Sequence, residues 1–227
     1  MATQLLDQTL GNLACHIPGA TRIFHAFHLD FCCGGQKSLR QAALERGIDA
    51  LAVQEHLLAL NPEDELESDW SKTTSEHLIE HLLQRYHAVH RQQLPELIRL
   101  AARVEQVHGS REECPRGLTD LLIAMQQELE SHMQKEEQIL FPMTKRGGGL
   151  MAGGPISVMR YEHEQHGDAL EQLIDLTYGM QPPASACNTW RALYRGLDEL
   201  RIDLMQHIHL ENNLLFPRAL GEEAQNG

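Results

Sequence analysis

The segment SHMQKEEQILFP at residues 131–142 recurs in closely related form as QHIHLENNLLFP at residues 206–217. Each copy contains a histidine, a glutamate four residues later, and an apolar stretch that ends in Phe-Pro. On a helix, a spacing of four residues places both side chains on one face, about one turn apart. The repeat therefore predicts two equivalent helices, each presenting a histidine and a glutamate together. The two pairs are His132 with Glu136 and His207 with Glu211.

A second repeated block precedes each of these segments. HAVHRQQL at residues 87–94 corresponds to HEQHGDAL at residues 163–170, so both blocks contain two histidines followed by a leucine. The distance along the chain from this block to the next is nearly the same in both repeats. We interpret the pattern as a duplicated helical hairpin, which predicts a four-helix bundle with approximate two-fold symmetry.

Apolar residues recur along each predicted helix at alternating spacings of three and four, as expected for the buried face of a bundle. Leu83 and Ile139 belong to these faces, and histidines and glutamates are the main interruptions. Pro142 and Pro217 follow the glutamates and are expected to bend or break their helices. The four helices are expected at about residues 73–108, 115–145, 155–178 and 184–220.

Local signals mark the ends of several segments. Thr73 and Glu76 have the spacing of a capping box at the start of the first long helix, and Gly147 opens a run of glycines that ends the second. Residues 1–60 contain short helical segments broken by glycine and proline. We therefore predict an all-α fold with three parts: a small helical N-terminal domain at 1–60, an acidic linker at 61–72, and a four-helix bundle at 73–227.

Composition excludes several classes of protein. The chain has 227 residues, with 19 basic and 32 acidic side chains and a formal charge of −13, which argues against nucleic acid or an anionic membrane as partner. The odd number of cysteines, 5, argues against a secreted disulfide framework. The N-terminus lacks the features of a signal peptide, and no apolar run reaches the length of a membrane helix. We expect a cytoplasmic protein.

The pattern of histidine–glutamate pairs favours a metal site over ion pairs at the surface. A buried carboxylate without a partner is costly, so a glutamate on an apolar helix face is normally paired or bound to metal. His87 and His163 occupy equivalent positions in the two repeats and complete a set of ligands for two ions. Mixed imidazole and carboxylate ligation suits iron, with manganese or zinc as alternatives.

Some assignments near this site stay open. His90 and His166 lie one turn away on the same faces and are alternative ligands to His87 and His163, or are packed beside them. Glu162 precedes His163 and is a candidate to orient the site. Glu128 lies one turn before His132 and is either solvated or close to the ligands. The remaining histidines, including His209, are expected at the surface or at helix ends.

A second motif, DFCCGG at residues 30–35, places Cys32 and Cys33 side by side before two glycines. The spacing does not match a zinc motif. The two cysteines are either small buried residues at a tight turn, or a redox pair or transient metal or nitrosyl ligand whose reactivity depends on thiolate formation.

Together these blocks resemble the RIC family, named for the repair of iron centres. The resemblance extends over essentially the whole chain and rests on DFCCGG, RYH, SHMQKEEQILFPM, GPISVM and HLENNLLFPRAL. It implies a small cysteine-bearing domain and a hemerythrin-like bundle with two irons, bridged by Glu136, Glu211 and an oxo or hydroxo group. The ligands that it implies are His87, His132, Glu136, His163, His207 and Glu211.

The family resemblance implies action on iron–sulfur clusters damaged by nitric oxide or peroxide. We expect the protein to support cluster repair by supplying iron to damaged iron–sulfur proteins. The alternatives are a di-iron nitric oxide reductase or peroxidase that removes the damaging agent, and a gas or redox sensor. The spacing of the histidines on the third helix differs from that of oxygen-carrying hemerythrins and disfavours oxygen storage. A homodimer is compatible with the sequence.

Overall fold

The computed structural model describes residues 5–61 and 70–221. Within them the regular elements are helical, and a single isolated bridge joins Thr9 and Ser38. The predicted all-α fold class is confirmed. Most of the predicted linker, residues 62–69, lies outside the described residues. No helix in the described part of the chain is long and apolar enough to cross a membrane.

Four short helices occupy the N-terminal region. Side chains cap the first turns of three of them: Thr9 accepts a hydrogen bond from the Asn12 backbone N–H at 3.2 Å, and Ser38 and Asp49 cap the third and fourth helices in the same way. Gly47 ends the third helix with a φ of +68°, a conformation that favours glycine. The helices are α1, Leu10–His16; α2, Ala20–Ala26; α3, Leu39–Arg46; and α4, Ala50–Leu58.

The four long helical segments of the predicted bundle are all present. A short 3₁₀ turn, Trp70–Lys72, precedes the first of them, and a second, Gly149–Ala152, precedes the third. Three of the four segments contain a π-helical turn. The first segment consists of α5 (Ser75–His81), a π turn (Leu82–His87) and α6 (Ala88–His108). The second consists of α7 (Leu118–Lys135), a π turn (Glu136–Leu140) and α8 (Phe141–Lys145), and the third is α9 (Gly153–Leu176). The fourth consists of α10 (Asn188–Leu210), a π turn (Glu211–Leu215) and α11 (Phe216–Leu220).

The first long segment begins one residue later than the capping-box spacing suggests. The Thr74 hydroxyl accepts the His77 backbone N–H at 3.3 Å. The Thr73 hydroxyl instead donates to the carbonyl of Trp70 at 3.0 Å. The predicted Thr73–Glu76 box is therefore wrong, because the 3₁₀ turn before the helix uses Thr73.

The π turns change which residues are buried. In the second segment the Phe141 N–H bonds to the Glu136 carbonyl, five residues back, so the helix gains one residue in that turn. Leu140 is 1% exposed, whereas Ile139, predicted on the buried face, is 52% exposed. The first segment shows the same shift, since Leu82 is buried and Leu83 is only half-buried.

The prolines after these turns do not break their helices. Pro142 and Pro217 lie inside α8 and α11, each directly after a π turn. A proline has no N–H and its ring clashes with the carbonyl four residues back in a regular helix. The wider turn accommodates that defect, so the predicted bend or break takes the form of a π turn.

Backbone contacts divide the chain into two compact units. Among the described residues, the first comprises 5–61, 70–79, 144–153 and 205–221, and the second comprises 80–143 and 154–204. The core of the first unit is built from leucine and phenylalanine side chains of the N-terminal helices, and Met205 packs against it. Residues on either side of the predicted boundary near residue 60 thus share one core.

The second unit is held by close packing between its long helices. α6 packs along α7. A Cβ on Gly196 would lie 2.7 Å from Leu97 Cδ2, so the glycine permits close approach of α10 to α6. The Arg85 guanidinium donates two hydrogen bonds to Asp203, at 2.7 and 2.8 Å, which ties the first π turn to α10.

Candidate metal centre

The predicted ligands are all buried polar side chains. None is more than 1% exposed, although each carries atoms that need a polar partner. Glu136 and Glu211 each begin a π turn, and His87 ends one. Turns of this kind often occur at functional sites. The six are His87, His132, Glu136, His163, His207 and Glu211.

In the second unit, histidines from three helical segments surround one carboxylate. His87 Nε2 lies 3.4 Å from Glu136 Oε2, and His132 Nε2 lies 3.5 Å from Glu136 Oε1. His163 Nε2 lies 3.1 Å from His132 Nε2. One ligand atom from each of His132, Glu136 and His163 lies within 4.8 Å of the others.

Carboxylates behind the histidines set their orientation. His87 Nδ1 lies 2.8 Å from Glu137 Oε1, and His132 Nδ1 lies 2.9 Å from Glu162 Oε2. When Nδ1–H donates to a carboxylate, the neutral ring presents its Nε2 lone pair on the opposite side. That side faces Glu136 in both cases. This is the carboxylate–histidine arrangement found behind metal ligands, so the donor set fits a cation.

The carboxylates of Glu137 and Glu162 are in turn paired with cationic side chains. Arg91 donates to Glu137 and to Glu130, each at 2.8 Å. Lys135 pairs with Glu162. The hydrogen bond from His132, helped by Lys135, lowers the pKa of Glu162 to about 2. Burial opposes ionisation of Glu137, yet hydrogen bonds from Arg91 and His87 lower its pKa overall. Both carboxylates are therefore ionised at neutral pH.

The first unit contains the equivalent pair from the second repeat. His207 Nε2 lies 3.2 Å from Glu211 Oε1, and both side chains are buried. His132 and Glu136 have almost the same separation in the second unit. The predicted repeat is thus present as a repeated local geometry, in which the histidine lies one turn before the π turn and the glutamate begins it.

The other residues named from the sequence fall into different environments. Glu162 contacts His132, as the candidate role required. Glu128 is on the exposed face of α7, and the structure does not bring it to these histidines. His90 and His166 are buried, and the His166 ring lies edge-on to the His132 ring, with 5.1 Å between the ring centroids.

Two features of the site escaped the sequence analysis. Glu137 was missed because its counterpart in the second repeat is Asn212, so the repeat did not single it out. Its position next to Glu136 was the available signal. His209 was expected at the surface but is 1% exposed, and its ring centroid lies 5.4 Å from that of Phe31. Burial lowers the pKa of His209 to about 4.

The loop at residues 30–35, here called the cysteine loop, is folded around the carboxylate of Asp30. Asp30 Oδ1 accepts the backbone N–H groups of Cys32 and Cys33 at 3.1 and 3.0 Å, and Oδ2 accepts that of Gly34 at 2.8 Å. The Cys32 thiol lies 3.2 Å from Asp30 Oδ1 and 3.8 Å from the Cys33 sulfur. The hydrogen bond with Cys33, then burial and the nearby Asp30 charge, raise the pKa of Cys32 well above its usual value.

The π turn that begins with Glu211 also holds this loop. Asn212 Nδ2 donates to the Cys32 carbonyl at 3.2 Å, and Asn213 Nδ2 donates to the Phe31 carbonyl at 3.3 Å. Within the first unit, the two side chains that directly follow the predicted ligand Glu211 therefore hold the loop that contains the two cysteines.

Known families account for both regions of the chain. Residues 78–219 match a family model described as "Hemerythrin HHE cation binding domain", which includes all of the predicted ligands. Residues 6–61 match a model described as "Domain of Unknown function (DUF542)". The fold and the buried histidine–glutamate clusters are thus those of a cation-binding, hemerythrin-like protein.

Relatives that match nearly the whole chain identify the family within this class. A protein of Dickeya chrysanthemi (strain Ech1591), named "Iron-sulfur cluster repair protein YtfE", is 51% identical over 217 residues, which cover 96% of this chain and 98% of the relative. Proteins of the same name from Yersinia pseudotuberculosis serotype IB (strain PB1/+) and Yersinia pestis (strain Pestoides F) are 52% identical with the same coverage. The chain belongs to the YtfE family, which confirms the predicted resemblance.

Proposed function

We propose that this protein repairs damaged iron–sulfur clusters by supplying iron from a dinuclear centre. The observation that carries the proposal is the buried carboxylate Glu136, which meets histidine nitrogens oriented by ionised carboxylates behind them. The names of relatives at about half identity over nearly the whole chain support repair as the process. The proposed ligands are His87, His132, Glu136, His163, His207 and Glu211.

The contacts of Glu136 favour two ions over one. Its Oε2 faces His87 and its Oε1 faces His132, so each oxygen is positioned for a different ion. A carboxylate used in this way bridges two metals, as in other dinuclear bundle sites. Glu211 occupies the equivalent position in the second repeat, and one family model includes both glutamates. We therefore assign both as bridges, and an additional oxo bridge stays a prediction.

The ligand chemistry suits an iron donor. Imidazole and carboxylate ligands accommodate ferrous iron without the very strong binding of thiolates. Bound iron supplies the ion that a damaged cluster has lost. His87 and His132 are held in place by Glu137 and Glu162, so that the chain itself fixes the geometry of the centre.

The recipients are damaged iron–sulfur proteins, and nitric oxide or peroxide are the agents that create them. Cys32 and Cys33 serve delivery rather than the iron centre, because the donor set of the centre is complete without sulfur. The printed names of the relatives give repair as their role, so a nitric oxide reductase or peroxidase is the less favoured alternative.

Isotope transfer tests the proposal. The full-length protein is loaded with a stable iron isotope and incubated with an iron–sulfur enzyme that nitric oxide has inactivated. We expect enzyme activity to return and the isotope to appear in the repaired cluster. The Cys32→Ser/Cys33→Ser double variant should keep its iron and repair more slowly. Recovery without transfer of the isotope, or turnover of nitric oxide with all iron retained, would favour the reductase.

A further inference from the structure

The cysteine loop has the geometry of a cation site of its own. We propose that Asp30, Cys32 and Cys33 bind a thiophilic divalent cation with tetrahedral preference, Zn²⁺ or Fe²⁺, separately from the iron centre. One ligand atom from each of the three lies within 4.8 Å of the others. The sequence offered transient metal binding by Cys32 and Cys33 as one alternative, and the structure adds the Asp30 carboxylate as a third donor.

Two distances between the three ligand atoms are close to those of a tetrahedral site, and the third pair also lies within 4.8 Å. Two thiolates at about 2.3 Å from a tetrahedral zinc lie about 3.8 Å apart. The sulfur atoms of Cys32 and Cys33 are 3.8 Å apart in this structure. A carboxylate oxygen at about 2.0 Å from the same ion lies about 3.5 Å from each sulfur. Asp30 Oδ1 is 3.2 Å from the Cys32 sulfur, so a shift of a few tenths of an ångström suffices.

The backbone is already organised around this position. Asp30 accepts three consecutive backbone N–H groups, and Asn212 and Asn213 hold two carbonyls of the loop. A cation would therefore meet ligands that are held in place. Adjacent cysteines on a loose chain would first have to lose their conformational freedom.

Binding exchanges protons for the cation. Both thiols lose their protons to solvent as two sulfur–metal bonds form, and the carboxylate supplies the third negative charge. The three ligands leave one corner of the tetrahedron for an exchangeable group. Structural zinc sites have four protein ligands, whereas an open position allows exchange. The loop therefore suits temporary holding of a cation during its transfer.

The inference concerns the same cysteines as the proposed repair function, but its test measures binding alone. Full-length protein with its iron centre loaded is titrated with Zn²⁺, and zinc-edge X-ray absorption reports the ligands of zinc only. We expect about one additional zinc per chain, with about two sulfur neighbours at about 2.3 Å. A zinc shell of only nitrogen and oxygen in the unaltered protein would overturn the proposal, while leaving repair untouched.

Variants locate the sulfur ligands. Cys32→Ser and Cys33→Ser preserve side-chain size and should each leave one sulfur neighbour, while the double variant leaves none. Cys15→Ser is the matched control, since Cys15 is a half-buried cysteine of the same unit, and it should keep both sulfurs. Retention of two sulfurs in the double variant would overturn the assignment. Unchanged iron content and helical circular dichroism verify that each variant is folded.

Discussion

At the scale of single residues, the central feature is two buried carboxylates, each beside histidine side chains. Glu136 and Glu211 are 0% exposed, and ionised side chains in such positions destabilise a fold unless they are paired. The same side chains become stabilising when they bind metal, because the ion binds only the folded chain. On the proposed ligand assignment, the two glutamates would thus link iron binding to stability.

Glu136→Leu and Glu211→Leu should each lose iron and remain helical, because their neighbours along the helix faces are leucines. Without metal, each variant should resist urea better than the parent, by about 1–4 kcal/mol, since a buried charge has been removed. Iron analysis and urea unfolding with chelator measure both effects. His90→Gln and His166→Gln serve as controls that keep iron. Loss of iron in these controls, with His87→Gln and His163→Gln tolerated, would show that the wrong histidines were chosen.

The carboxylates behind the histidines should tune affinity without adding ligands. Glu137→Gln and Glu162→Gln each weaken the orientation of one histidine, and we expect iron affinity to fall by about 10–100-fold. Glu130→Gln is the matched control, because Glu130 pairs with Arg91 as Glu137 does but belongs to an outer ion pair. Competition with a chelator measures the affinities. Equal losses in all three variants would mean that surface charge, not orientation, is responsible.

At the scale of helices, periodicity predicted the long segments but not the shift in register at two of their π turns. The buried faces of α9 and of α10 follow the predicted spacing throughout, from Ile156 and Trp190 onward. The predictions for Leu83 and Ile139 fail because a π turn adds one residue, and no sequence pattern except the prolines marks these turns. The two buried glutamates were still predicted, since each lies at the start of its π turn, before the register changes.

The register shift has a direct test in two neighbouring residues. Leu140→Ala should destabilise the protein by about 2–5 kcal/mol, because it creates a cavity in a packed interior. Ile139→Ala should change stability by no more than about 0.5 kcal/mol, because its side chain is largely exposed. Urea unfolding of the iron-loaded protein compares them. A larger loss of stability for Ile139→Ala than for Leu140→Ala would indicate that the α-helical register continues without a π turn.

Glycines make room for the side chain that holds the cysteine loop. A Cβ on Gly11 would lie 2.4 Å from Asn213 Oδ1. Gly11→Ala should therefore displace Asn213 and speed the reaction of Cys32 and Cys33 with a thiol reagent, although alanine is the better helix former. Gly154→Ala is the control, since a Cβ there meets no atom within 4 Å. Peptide mass spectrometry measures the labelling rates, and equal rates in both variants would contradict this role of Asn213.

At the scale of the whole molecule, the sequence predicted that the six candidate ligands are buried, but not which distant segments pack together. The duplicated hairpin identified the buried histidines and glutamates, because a repeat leaves a signal in the sequence itself. The packing of Met205 on the N-terminal core, and the bonds from Asn212 and Asn213 to the cysteine loop, leave no such signal. They join residues far apart along the chain, whose partners depend on the folded shape. The domain boundaries at 60 and 73 stay a prediction.

The metal content of the full-length protein tests the central claim most directly. Protein expressed with ample iron should contain about two irons per chain. The ligand set is duplicated, and the two carboxylate oxygens of Glu136 lie beside different histidines. Elemental analysis of the purified protein, with protein concentration from amino-acid analysis, provides the ratio. A ratio near two that falls in Glu136→Leu and in Glu211→Leu is the predicted result. One tightly held zinc per chain, with no iron, would contradict the account.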